Sequence, residues 1–201
     1  MIRLGDQVRW NEEGLESLRY EYVLAPDDWV IDVGAYQGEF AARIFRKFNC
    51  NVLAFEPTDA IDKLINLTTK VQTRKQAAWI HEARMTMGGS QFWVSMYDSD
   101  RERDYPCIDL AEVLKRLLDQ TGLNISLLKM NIEGGEYTLL QHLLNHRLQF
   151  KITHFQVQFH LVEGENSEEK YEEIAAQLRG THELQWRTPF VWESWKLKMP
   201  L

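Results

Sequence analysis

The sequence is short of several things, and each shortage closes off a class of function. Only two cysteines, Cys50 and Cys107, occur in 201 residues. They stand far apart, in no metal-type spacing, which excludes a disulfide framework and fits a reducing compartment. Positive charge is in deficit: the formal net charge is −7. That balance argues against the basic footprint required by bare nucleic acid or an anionic membrane surface, so neither is expected as a partner. Nowhere do 18 apolar residues run consecutively, and the opening MIRLGDQVRWNEEG has no signal-peptide core. These absences predict a soluble, cytoplasmic protein. No repeat, low-complexity tract or Pro/Gly/Ser-rich linker interrupts the chain, so one domain over residues 1–201 is expected. Within it, residues 1–28 would supply a helical cover (Leu15, Leu18, Tyr22) over a core spanning 29–201.

What is present is an alternation of strand-like and helix-like segments. WVIDVGA (29–35) and NVLAFEP (51–57) are apolar runs closed by glycine and proline. Between them, Ala41, Ile44, Phe45 and Phe48 fall at helical spacing. Ile61, Leu64 and Ile65 mark a short helix, and KVQTRKQAAWI (70–80) reads as strand and loop. RMTM and QFWVSM predict a hairpin turning at Gly88-Gly89. Asp109 and Glu112 form a capping box for a helix ending near Gly122. ISLLKMNIE (125–133) and THFQVQFHLV (153–162) are further strands. Helices with Tyr137, Leu140, Leu144 and Leu148, and then from Ser167 to Gly180, follow these two strands. A hairpin about Pro189 closes the chain. The pattern is that of a doubly wound α/β domain, whose ligands bind at the carboxyl ends of the strands where strand order reverses.

The first such end reads Asp32-Val-Gly34-Ala35-Tyr36-Gln-Gly38. Tyr36 and Glu39 break the G-x-G-x-x-G fingerprint of dinucleotide sites, which counts against a nicotinamide oxidoreductase. An acid aimed at this turn would repel a pyrophosphate and suit a cation. Glu56 ends the second strand 22 residues beyond Gly34, where a carboxylate can accept both hydroxyls of a ribose. A phosphate-free, cationic nucleoside is implied, and S-adenosyl-L-methionine fits that description.

VIDVGAYQGEF, LAFEP, LLKMNIEGGEYTLL and QVQFH, in this order over residues 29–162, resemble the FkbM-type family of S-adenosylmethionine-dependent methyltransferases. The resemblance implies a Rossmann-like fold with a mostly parallel seven-stranded sheet, a C-terminal antiparallel hairpin and helices on both faces. It also implies O-methylation of a hydroxyl on a small-molecule or saccharide acceptor. By the same resemblance the cofactor would meet Asp32, Gly34, Ala35, Tyr36, Gly38 and Glu56, with Ala78 and Trp79 near adenine. Lys129, Glu133, Gly134 and Glu136 carry the third motif. Asn131 stands where the family has Asp; its carbonyl oxygen can still accept a bond from the methionyl amine.

LLKMNIEGGEYTLL puts Lys129, Asn131 and Glu133 on alternate positions, so a continuous strand would present them on one face. A hydroxyl acceptor needs a base, and Glu133 and His160 are the candidates. Lys129 is expected to orient Glu133, contact the acceptor, or pair with a carboxylate on a neighbouring strand. No metal site is predicted. His142 and His146 lie four apart, but Leu143 replaces the glutamate of H-E-x-x-H, and a solvated helix end explains the pair. Trp186, Trp192 and Trp195 fit sheet-covering aromatics better than a sugar-stacking wall. The reading from another class is a noncatalytic cofactor-binding module, which Asn131 would favour.

Overall fold

A computed structural model describes residues 10, 14–64, 68–90, 93–97 and 101–198. Most of the expected N-terminal cover before residue 14, Ile65 of the short helix, and Gln91-Phe92 of the hairpin lie outside them. Strand β1 (Trp29–Val33) leads through a glycine turn into α1 (Glu39–Phe48), which returns the chain to β2 (Asn51–Phe55). A 3-10 helix (Asp59–Lys63) precedes β3 (Val71–Arg74). Next come four strands: β4 (Ala77–Trp79), β5 (Ala83–Ser90), β6 (Trp93–Ser95) and β7 (Arg103–Asp109). Helix α2 (Leu110–Thr121) follows; Asp109 caps it by accepting from Glu112 N at 3.2 Å, and Gly122 ends it with φ 66°. The remainder alternates: β8 (Ile125–Met130), α3 (Glu136–Asn145), β9 (His154–Val157), α4 (Ser167–Thr181), β10 (His182–Thr188) and β11 (Trp192–Leu197).

The main sheet has seven strands in the order β10-β11-β9-β8-β1-β2-β3, and β11 runs against the others. It is the expected Rossmann-like sheet with its C-terminal hairpin. Strand order reverses at β1: the chain runs outward through β2 and β3, then restarts on β1's other side with β8. One sheet face packs on α2, α3 and α4 through Leu114, Leu140, Ile174 and their neighbours. The other is covered by α1, the 59–63 helix and a 3-10 turn over Leu15–Tyr20, with Tyr20, Phe40, Ile44 and Ile61 buried. Each such side chain contributes roughly 1.5–3 kcal/mol on burial. Tyr22 ties this N-terminal cover down by donating to Gln156 Oε1 at 3.1 Å, with Ser194 Oγ 3.2 Å away.

Three local expectations are corrected. The hairpin does not turn at Gly88-Gly89: these residues pair with Ser95 and Val94 inside β5 and β6. β7, unforeseen, completes a second sheet in the order β4-β7-β5-β6. Finally, β8 stops at Met130 and β9 at Val157, so Asn131, Glu133 and His160 sit in loops past the strand tips. Among the described residues, no helix is long and apolar enough to cross a membrane.

Candidate active site

Three strand tips meet where the sheet order reverses. Beyond β1, Gly34 N and Ala35 N both donate to Phe55 O, at 3.0 and 2.9 Å, fastening the turn to β2. On the other side, Asn131 N donates to Val33 O at 3.0 Å. Gly34 has φ 76°, and a Cβ there would lie 1.8 Å from Asn131 O. Glycine is therefore demanded by the close approach of the β8 tip and by the left-handed backbone. Gly38 has a different reason: its missing Cβ leaves room for the Leu64 side chain, which would otherwise lie 2.6 Å away.

Glu56 is fixed at the β2 tip. Its Oε2 accepts from Tyr36 N at 3.0 Å, and its Oε1 accepts from Thr58 N at 3.0 Å and Thr58 Oγ1 at 2.7 Å. A carboxylate has about four lone-pair sites, so these three bonds hold it without exhausting it. It lines a cleft of about 940 Å³ of empty space, solvent at its mouth included. Gly34, Tyr36, Ala78, Trp79, Asn131 and Glu133 also line the cleft, together with Thr58, Ile132 and three methionines that sequence reasoning did not find. Asn131 Oδ1 is buried, with no hydrogen-bond partner among the described residues. An orphaned acceptor at a cleft wall calls for a donor from a ligand, and a ligand ammonium supplies one.

Asp32 and Lys129 do not line the cleft. Strand alternation turns them to the α1 side, beside Val30 and Leu127 of that core. There Lys129 Nζ lies 2.9 Å from Asp32 Oδ1 and donates to Gly34 O at 2.7 Å. The two residues are in direct register on adjacent strands, with exposures of 4% and 0%. Beyond this contact, neither oxygen of Asp32 has a hydrogen-bond partner among the described residues. The expected pair of acids facing the ligand is thus one acid, Glu56; the other neutralises a lysine beneath the turn. Of the three expectations for Lys129, pairing with a neighbouring strand is the one the geometry meets. Ala35 is also in the α1-side core and Gly38 packs on Leu64, so neither reaches the cleft.

Beyond β8 the chain makes a second built turn. Glu133 adopts φ 53°, a left-handed conformation that costs a non-glycine residue about 1–2 kcal/mol. Ser95 Oγ donates to its carbonyl at 2.7 Å. Its carboxylate lies 3.4 Å from His160 Nε2, while His160 Nδ1 lies 2.9 Å from Glu136 Oε1. Glu136 opens α3, fully buried, and accepts from Ile132 N at 2.8 Å and Gly134 N at 3.0 Å. Tyr137 donates its hydroxyl to His160 O at 2.7 Å. The imidazole is therefore clamped between two carboxylates, one buried and one at the cleft. Burial opposes its positive charge, but Glu136 by charge and hydrogen bond, and Glu133 by charge, outweigh it and raise the His160 pKa. Burial raises that of Glu133, with His160 opposing. Such paired shifts are a mark of acid–base sites.

Elsewhere, His142 Nε2 meets Asp109 Oδ1 at 3.0 Å. Trp192 and Trp195 are core residues and Trp186 stacks near Trp10, all away from the cleft.

Comparisons with known proteins agree with this fold. A solved structure from Clostridium thermocellum, described as an rRNA-methylase, matches at TM-score 0.52 and 13% identity, covering 93% of this chain and 96% of that one. An uncharacterized protein from Listeria monocytogenes serotype 4b gives 0.51 and 11%, with 94% and 68% covered. A human methyltransferase 10 domain containing protein gives 0.50 and 9%, with 96% and 82% covered. These likenesses show the fold. No curated protein shows significant sequence similarity to the chain. The sequence itself matches the methyltransferase FkbM domain over residues 32–184. With S-adenosyl-L-methionine as its methyl donor, this chain belongs to the FkbM family of methyltransferases.

Proposed function

We propose that the protein transfers a methyl group to the hydroxyl oxygen of a small-molecule or saccharide acceptor, with Glu133 as the base. The observation that carries this reading is the Glu133–His160–Glu136 cluster at the cleft edge. The residues present fit the cofactor. Glu56 would take the ribose hydroxyls, the orphaned Asn131 Oδ1 the methionyl ammonium, and Ala78 and Trp79 the adenine side. When bound, S-adenosyl-L-methionine supplies an electrophilic methyl on a sulfonium.

The work of the chain is to hold an acceptor oxygen in line and remove its proton. Glu133 receives that proton on its carboxylate, and desolvation makes it a stronger base than an exposed glutamate. His160 stabilises the carboxylate's position and is held in turn by Glu136. Lys129 acts at a distance, bracing Gly34 O and Asp32 beneath the cofactor turn.

Nucleic acid is the rival acceptor, since one neighbour is described as an rRNA-methylase. The net charge of −7 favours a small acceptor over a polyanion. A noncatalytic module would have no use for a strained glutamate buttressed by a buried histidine. In this reading the whole chain forms one methyltransferase unit.

The test is release of S-adenosylhomocysteine across a panel of hydroxyl compounds, saccharides and RNA. Turnover of a hydroxyl compound, lost by at least about 10²-fold in Glu133→Gln with cofactor affinity retained, is expected. Turnover that survives the substitution, or that occurs only with RNA, overturns the reading.

A further inference from the structure

The β5–β6 hairpin and the residue after it add a part of the cleft lining whose chemistry is unlike that of the strand tips. Met85 and Met87 are two apart on β5, so they share a face. Gly88 pairs with Ser95, which sets Met87 and Met96 across from one another one residue further along. All three methionines line the cleft. Met96 follows Ser95, whose hydroxyl holds the Glu133 carbonyl at 2.7 Å. Met96 is thus one residue from the side chain that fastens the turn of the candidate base, and it shares the cleft lining with Glu133.

Two further facts limit what such a wall accepts. The charged side chains lining the cleft, among the described residues, are Glu56 and Glu133, both acids, with no lysine, arginine or histidine. A phosphate or carboxylate on the acceptor would be desolvated next to Glu133, and the His160 imidazole behind that residue is already engaged by two carboxylates. Thioethers are weak acceptors and donate nothing, so they leave the many hydroxyls of a free saccharide unpaired. What they offer is soft, polarizable surface that adapts to irregular or aromatic shapes.

We infer that the acceptor is an uncharged, largely apolar compound carrying one hydroxyl, its body against Met85, Met87 and Met96 and its hydroxyl at Glu133. This rests on the methyltransferase reading above and narrows its acceptor class. It makes the methionine face a specificity surface separate from the cofactor's contacts at Glu56 and Asn131.

The test is equilibrium binding to the full chain saturated with S-adenosylhomocysteine, by saturation-transfer NMR. The probes are 1-naphthol, 1-naphthyl phosphate and methyl glucoside. Binding of 1-naphthol at least tenfold tighter than either other probe is expected. Met87→Gln should weaken it at least fivefold while S-adenosylhomocysteine affinity moves less than twofold; Met96→Gln gives the same readout if the first variant folds poorly. Equal or tighter binding of the phosphate or the glucoside overturns the inference, as does naphthol binding indifferent to both variants. Parallel loss of S-adenosylhomocysteine affinity places the methionines over the cofactor and overturns it too. If the wild-type chain fails to bind S-adenosylhomocysteine, the underlying reading falls, and this inference with it.

Discussion

Lys129 and Asp32 face each other in register across β8 and β1, Nζ to Oδ1 at 2.9 Å, in a core that excludes water. Taking either partner away leaves an uncompensated charge, which costs about 3–5 kcal/mol. Lys129→Met is expected to lower stability by that order in urea titration, and Asp32→Leu likewise. The double substitution should recover most of the loss, because an apolar pair replaces both charges. The cofactor turn supplies a second readout: Lys129→Met also removes the bond to Gly34 O, so S-adenosylhomocysteine affinity should fall in the folded variant.

Gly34→Ala collides with a backbone carbonyl that has nowhere to go. The left-handed φ alone costs about 1–2 kcal/mol, and displacing Asn131 O adds to it. Lower thermal stability together with lost S-adenosylhomocysteine binding is expected. Gly122→Ala is the contrast, since a Cβ there meets nothing within 4 Å; only the φ penalty should register in its melting curve.

Stability should depend on pH through His160. Its folded pKa is raised, so its contribution is complete below the unfolded value of about 6.5 and fades as pH climbs through the folded value. Urea midpoints between pH 5.5 and 8.5 should decline on the alkaline side for the wild type. His160→Gln should flatten that decline. An unchanged slope would show that the imidazole is not held by its two carboxylates.

Glu193 offers a second, independent titration. It is buried in the terminal hairpin, accepting from Trp195 Nε1 at 2.6 Å and from the Tyr171 hydroxyl at 3.1 Å, with Arg187 Nε 3.3 Å away. Burial lifts its pKa to about 7, against those donors. Carrying the charge above that pH therefore costs up to about 3 kcal/mol. Glu193→Gln should gain on the wild type as pH rises from 5 to 8, and lose that advantage at pH 5. Calorimetric melting at the two pH values measures it.

The main sheet was legible because its strands are apolar runs and its helices repeat at 3.6 residues, signals that need no tertiary knowledge. Gly34, Glu56, Asn131 and Glu133 were also within reach, being placed by their positions after strand ends. The role of Asp32 is not legible in this way, because alternation says only that it opposes Ile31 and Val33. Which sheet face meets α1 and which end meets ligand is decided by topology. Its partner Lys129 lies 97 residues away, beyond any local pattern. β7 is not legible, since RDYPCID contains a proline and charges where alternation should be. The Met85–Met87–Met96 face follows from period two only once the hairpin register is known, and Gly88-Gly89 suggests a turn where the strands in fact pair.

Glu133 sits at a backbone angle where glycine or asparagine would be more comfortable. Laboratory selection for heat resistance alone would accordingly reward replacing it, and each such winner would lose the carboxylate that faces the ligand space. Robustness and chemistry pull this one position in opposite directions.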